Sequence, residues 1–113
     1  MKPGEIYLAS FPFGDSPAMK LRPVLLLTSQ IGPVPEVLVA YISSVIPATS
    51  LPSDLILDPS LVEHRGTNLK KTSVLRLHKL ATLHSRSLQR FLGAIAPGTS
   101  GLVARRPRAK LNV

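Results

Sequence analysis

Hydrophobic residues occur in short bursts along this chain, and the prolines between them set the length of each burst. Residues 5–13 alternate, with Ile6, Leu8 and Ser10 on one side and Tyr7, Ala9 and Phe11 on the other, which predicts a first strand. Residues 14–21 read as a loop that opens on Gly14-Asp15-Ser16-Pro17. Residues 23–29 form a nearly continuous apolar run, suited to a strand buried on both faces, with Pro23 at its first position where a missing N–H is tolerated. Gly32-Pro33-Val34-Pro35 turns the chain, and residues 37–45 predict a third strand. A short fourth strand is centred on Leu55-Ile56-Leu57. Residues 59–71 read as an irregular crossover with a helical turn, and residues 73–78 as a further strand that continues through 80–83 after a bend. Ser85 is placed to N-cap a helix through Leu92, because Leu88, Phe91 and Leu92 share a helical stripe. Five or six short strands with one or two short helices predict a mainly β fold, arranged as a small, partly open barrel with a helix at its rim.

The length, 113 residues, allows one domain with a modest core, and an apolar fraction of 44% is enough to fill it. No window of 18 consecutive apolar residues predicts a transmembrane helix. The first residues lack the apolar stretch of a signal peptide, which together with the absence of Cys fits a cytoplasmic setting. Without Cys there is no thiol nucleophile, no disulfide framework and no Cys-ligated zinc.

Charge changes the picture most. The net charge is +8, but residues 1–60 carry three Lys/Arg against five acids, while residues 61–113 carry eleven against Glu63 alone. Such a one-sided basic surface attracts polyanions by phosphate neutralisation and counterion release, which points to nucleic acid or an acidic protein as partner. From Pro97 onward the composition is Gly/Pro-rich and then basic, so residues 97–113 are expected to form a flexible tail unless a partner holds them.

Four pieces in order carry a resemblance. Gly4-Glu5-Ile6-Tyr7-Leu8 opens a strand. A loop then ends in Arg22-Pro23 ahead of Val24-Leu25-Leu26-Leu27. Val39-Ala40-Tyr41-Ile42-Ser43 follows, and then Ser73 to Leu83 with Leu92-Gly93-Ala94-Ile95. This set resembles the MazF/PemK/Kid family of toxins from type II toxin–antitoxin pairs, over about residues 3–96. The resemblance implies an SH3-like barrel, of the kind seen in CcdB and PemK, over residues 1–96 and forming homodimers. It implies a metal-independent endoribonuclease (an mRNA interferase, and so a growth inhibitor) that cuts single-stranded RNA at short sequence motifs. It further implies a small acidic antitoxin as partner, and DNA binding by the toxin–antitoxin complex.

Cleavage of this kind uses the 2′-OH of the substrate as nucleophile. The protein must place the phosphodiester, stabilise charge on its oxygens and move protons, with no cofactor. Arg22 is the first candidate, since a guanidinium stays charged and can fork onto two phosphate oxygens. By the resemblance it is the catalytic Arg of the Arg-Pro motif; taken alone it is a basic residue beside a turn. Ser43 falls where the family carries a catalytic Thr or Ser, and its hydroxyl can donate to the phosphate. The sequence leaves open whether Ser43 or Ser44 faces the site, and a plain strand-end capping role competes with either. Arg76 and His78, two apart on a strand, project to one face. The family places an Arg-x-Asp pair there, and with His as the second member a proton-transfer role near neutral pH becomes available. Phe13, which can stack a base, and Asp15 and Lys20 in the loop before Arg22, together with Lys79, complete the expected RNA-binding set. His64 and His84 are isolated and have no metal-ligand spacing, so structural or solvent-exposed roles suit them.

Two other readings remain open at the level of sequence. One is a non-catalytic module of the same barrel that binds nucleic acid or poisons gyrase, as CcdB does. The other is a decayed toxin, because Pro97, Gly98, Gly101 and Pro107 stand where the family runs a terminal helix.

Overall fold

The alternating segments pair into one antiparallel sheet of six strands, in the order β4-β5-β3-β2-β1-β6. The computed structural model describes residues 1–11 and 20–105. The strands are β1 (Glu5–Phe11), β2 (Lys20–Leu26), β3 (Glu36–Ser43), β4 (Asp54–Leu57), β5 (Ser73–His84) and β6 (Leu88–Ala94), followed by one helix, α1 (Pro97–Arg105). Among the described residues β4 and β6 do not pair with each other, so the sheet stays open, and the mainly β, partly open reading of the sequence agrees with this architecture. No helix among the described residues is long and apolar enough to cross a membrane.

Alternation divides the core between the two faces of the sheet. One face buries Ile6, Leu25, Ala40, Ile42, Leu75 and Leu77, and receives Ile95 and Val103 from the C-terminal segment. The other buries Ala9, Val24, Leu26, Val37, Val39 and Leu83, with Tyr7 and Tyr41 packed against them. The β3–β5 ladder carries a wide bulge. Ala40 pairs with Leu80 but Tyr41 pairs with Arg76, so residues 77–79 bow out of register. This is the bend that the sequence predicts after residue 78.

Strand β2 begins at Lys20, within the segment predicted as loop, and ends at Leu26, so Pro23 lies inside the strand opposite Leu8 rather than opening it. Two further expectations are corrected. The helix predicted from Ser85 through Leu92 is a short 3₁₀ turn, Ser85–Ser87, followed by strand β6. Ladder geometry explains the misleading spacing. Two bulges in the β1–β6 pairing put Leu88 opposite Ala9 and Phe91 opposite Tyr7, so residues three apart land on one face as they would on a helix. Phe91 meets Tyr7 edge-on, with centroids 5.4 Å apart. The second correction is the start of the supposed flexible tail. Residues 97–105 are the helix α1, with Thr99 and Val103 buried. Pro97 takes the first helical position, where no N–H is needed. Two glycines lower the intrinsic propensity of this helix, so burial of Val103 in the first-face core is what holds it. Pro97, Gly98 and Gly101, which the decayed-toxin reading took to break this helix, lie within it. Residues 106–113 lie outside the described residues.

Gly93 sits at a close approach of two backbones. A Cβ there would run into the Gly66 carbonyl oxygen, because β6 crosses the 3₁₀ turn Val62–Thr67 in close contact. Asn68, in the left-handed region at φ 56°, ties the same crossing by donating from Nδ2 to the Leu92 carbonyl at 2.6 Å.

Candidate functional site

Register puts Arg22, Ser43 and Arg76 on one face. Val24 pairs with Tyr41, Tyr41 with Arg76, and Arg76 with Asp54, forming one row across β2, β3, β5 and β4. Two residues along each strand lies the next row. Arg22 is paired to Ala9, Ser43 is paired to Val74, and continuing the β2–β3 ladder sets Arg22 opposite Ser43. Arg22, Ser43, Tyr41, Arg76 and Asp54 therefore share the second face, just beyond its buried apolar cluster.

Arg22 is half-buried and makes no ion pair with a described residue. The Ser43 hydroxyl oxygen accepts from the Val45 N–H at 3.1 Å, which is the strand-end capping role, while its own proton stays available. The register separates Ser43 from Ser44. Ser44 turns to the opposite side, where it lines a cavity of about 520 Å³ between β1, β2, β6 and residues 68–73. Its lining combines apolar Leu8, Pro23 and Leu92 with basic Lys70, Lys71 and Arg90.

Arg76 and His78 converge on a residue that the sequence reading did not single out. Asp54 begins β4, and its carboxylate is almost entirely buried. Arg76 donates from Nε to Asp54 Oδ1 at 3.1 Å, and His78 Nδ1 lies 3.8 Å from the same oxygen. The other oxygen, Oδ2, accepts the Leu51 N–H at 2.9 Å, closing the turn that leads into the strand. Burial pushes the Asp54 carboxyl up, but the Leu51 N–H, the Arg76 guanidinium and His78 together outweigh it and hold the group below the usual carboxylate range. His78 Nδ1 is also 2.8 Å from Ser53 Oγ. Burial pushes the His78 imidazole below its ordinary value, Arg76 and Lys79 push the same way, and Asp54 opposes them. The family pattern puts an acid two residues after the Arg. Here that position is His78, and the acid that meets Arg76 comes from the neighbouring strand. The only signal in the sequence was an Asp opening an otherwise apolar strand.

The remaining candidates sit elsewhere. Lys79 is exposed in the bulge beside His78, and Lys20 is exposed at the start of β2. Phe13 and Asp15 lie outside the described residues, as does the side chain of Phe11. His64 is buried in the 3₁₀ turn Val62–Thr67 with its Nδ1 unpaired. His84 caps the turn Ser85–Ser87, accepting the Arg86 N–H at Nδ1. Neither belongs to the Arg22–Arg76 face by contact. Among the described residues no group of three or more His, Asp and Glu side chains is placed to hold a metal ion.

Comparison with known proteins places the chain in a family and agrees with its fold. The sequence matches, over residues 2–108, the family described as PemK-like, MazF-like toxin of type II toxin-antitoxin system. The chain belongs to that family. Similar solved structures include the Mycobacterium tuberculosis toxin MazF-mt6, at 22% identity and TM-score 0.68, with 88% of each chain covered. An endoribonuclease from Mycobacterial species matches at 16% identity and TM-score 0.67, covering 92% of this chain and 84% of that one. An endoribonuclease in complex with its cognate antitoxin, also from Mycobacterial species, matches at 16% identity and TM-score 0.64, covering 92% and 87%. At these identities the likeness is one of fold. No curated protein matches the sequence.

Proposed function

We propose that this chain is a metal-independent, sequence-selective endoribonuclease that cleaves single-stranded RNA and is held in check by a small acidic antitoxin. The observation that carries the reading is the row geometry: Arg22 and Ser43 on facing strands, with Arg76 one row further on the same face. Three groups able to donate to phosphate oxygens thus surround one patch, on a chain of net charge +8.

In this reading Arg22 and the outer amino groups of Arg76 bind the non-bridging oxygens of the scissile phosphate. The Ser43 hydroxyl donates a further hydrogen bond. The 2′-oxygen attacks phosphorus and its proton passes to His78 Nε2. The bond to the 5′-oxygen then breaks, and that oxygen takes a proton from water. The products are a 2′,3′-cyclic phosphate and a 5′-hydroxyl. Lys20, Lys79, Phe13 and Asp15 are assigned to the path of the flanking nucleotides.

Membership of the family supports an antitoxin partner, homodimer formation and DNA binding by the complex. The exposed Val45, Ile46, Leu51 and Ile56 leave apolar surface on and before the edge strand β4, as a second copy would require. The deciding experiment incubates the purified protein with a long single-stranded RNA in EDTA, beside Arg22→Ala, and maps the fragment ends. Discrete cuts that need Arg22 and leave 5′-hydroxyl ends are expected. Intact RNA, or cutting unchanged in Arg22→Ala, overturns the assignment and favours a non-catalytic binding module.

A further inference from the structure

We propose that Asp54 is the positioning residue of this site: its buried carboxylate, acting with Ser53, fixes His78 as the Nδ1–H tautomer and anchors Arg76 through Nε. The nuclease role of the two positioned groups rests on the function proposed above; the hold of Asp54 on them does not.

The geometry constrains the proton on His78. Its Nδ1 lies 2.8 Å from Ser53 Oγ and 3.8 Å from Asp54 Oδ1. A hydroxyl can donate or accept, so Ser53 alone permits either tautomer. The carboxylate breaks the tie. A lone pair on Nδ1 would face a buried negative charge, whereas an N–H there is attracted to it and is accepted by the Ser53 oxygen. The lone pair then lies on Nε2, which has no partner among the described residues, on a side chain that keeps 28% exposure. An imidazole held this way is ready to take a proton and not to give one.

The same oxygen orients Arg76. Asp54 engages Nε and not the terminal amino groups, so the outer end of the guanidinium is left without a partner among the described residues. Asp54 is itself immobilised. The Leu51 N–H binds its second oxygen, its own N–H binds the Leu51 carbonyl at 2.9 Å, and the Leu77 N–H binds the Ser53 carbonyl at 3.0 Å. One buried carboxylate on β4 therefore sets the direction of two side chains on β5.

Long-range nitrogen–proton NMR of the full-length protein at pH 7.5, with His78 assigned by the signal lost in His78→Gln, reads the tautomer directly. Nδ1–H is expected in the wild type, and Nε2–H overturns the proposal without any further variant. In Asp54→Asn the Nδ1–H preference is expected to weaken and the cleavage plateau to fall by about 10²-fold or more. The charged groups around His78 are Arg76 and Lys79 on β5 and Asp54 on β4. Removing the only negative one among the described residues disfavours the imidazolium, so the acidic limb of the rate profile should move to lower pH. A folded Asp54→Asn with an unchanged tautomer and an unmoved limb, slower by the same factor at every pH, overturns the proposal. If the wild type shows Nδ1–H, Asp54→Asn loses it, and neither cuts RNA, the nuclease reading fails while the hold of Asp54 on His78 stands.

Discussion

Arg22 and Arg76 share a face and a charge, yet their energetic positions are opposite. Arg76 neutralises a carboxylate that is 1% exposed, while Arg22 pairs with no described acid. Truncating Arg76 leaves Asp54 buried and unpaired, a loss of about 3–5 kcal/mol in buried pairs. Because Arg76 keeps a fifth of its side chain exposed, the lower end applies. Arg76→Ala should therefore unfold about 3 kcal/mol more easily than wild type in urea. Arg22→Ala should stay within about 0.5 kcal/mol, as substitutions away from paired or buried features do. Equal destabilisation of the two would remove the structural distinction. Lost cleavage in Arg22→Ala then speaks for chemistry, whereas lost cleavage in Arg76→Ala must first be corrected for folding. The proposed site residues Arg22, Ser43, Arg76 and His78 were nominated from the sequence, because each sits in a short motif in or beside a strand. Asp54 was not. It stands 22 residues before Arg76, and only the β4–β5 ladder joins them. The Ser43/Ser44 ambiguity likewise needed register, since a one-residue step changes the face.

Elements were legible where one period governed them and misread where a bulge mixed two. Strands β1, β3, β4 and β5 follow from alternation, β2 is shifted because Pro23 reads as its first residue when it lies inside the strand, and β6 imitates a helical stripe through its two bulges. The crossing of β6 over the 3₁₀ turn Val62–Thr67 carries the sharpest element-scale prediction. Gly93→Ala forces a methyl against the Gly66 carbonyl, where backbone and not a flexible side chain must yield. Overpacking of this kind costs about 1–3 kcal/mol, so a lowered thermal midpoint is expected. Gly98→Ala, with open space around its Cβ and a helical backbone, should instead hold or raise the midpoint. A Gly93→Ala protein as stable as wild type would show that the two elements separate freely. The helix α1 escaped sequence reading for a related reason. Its glycines argue against a helix locally, and only the core position that receives Val103 argues for it.

At the scale of the molecule, one sheet face runs from a dry apolar cluster at one end to a charged patch at the other. The proposed site residues thus stand on strands whose neighbouring positions are fully packed, which fixes their spacing better than a loop would. The same continuity couples stability to pH. His78 has a folded value below its unfolded one near 6.5, so its contribution is complete above that pH and is lost as pH falls through the folded value. Asp54 is also lowered, from 3.8, so its contribution is present above that value and lost on further acidification. Thermal midpoints should fall first below about pH 6.5 and again below about pH 4. His78→Gln should abolish the upper step while keeping the lower, and a single acid transition in the wild type would contradict the coupling. The basic surface adds a second whole-molecule property that the composition already announced. Binding to a non-cleavable single-stranded RNA, with 2′-deoxy at the cut site, should weaken linearly in log salt. Each lost phosphate contact should flatten the slope by about 0.7. Arg22→Ala should change that slope by about one contact, and so should Lys79→Ala if the flanking RNA passes the bulge. A slope unchanged in Arg22→Ala would place the RNA backbone elsewhere on this surface, and with it the reaction.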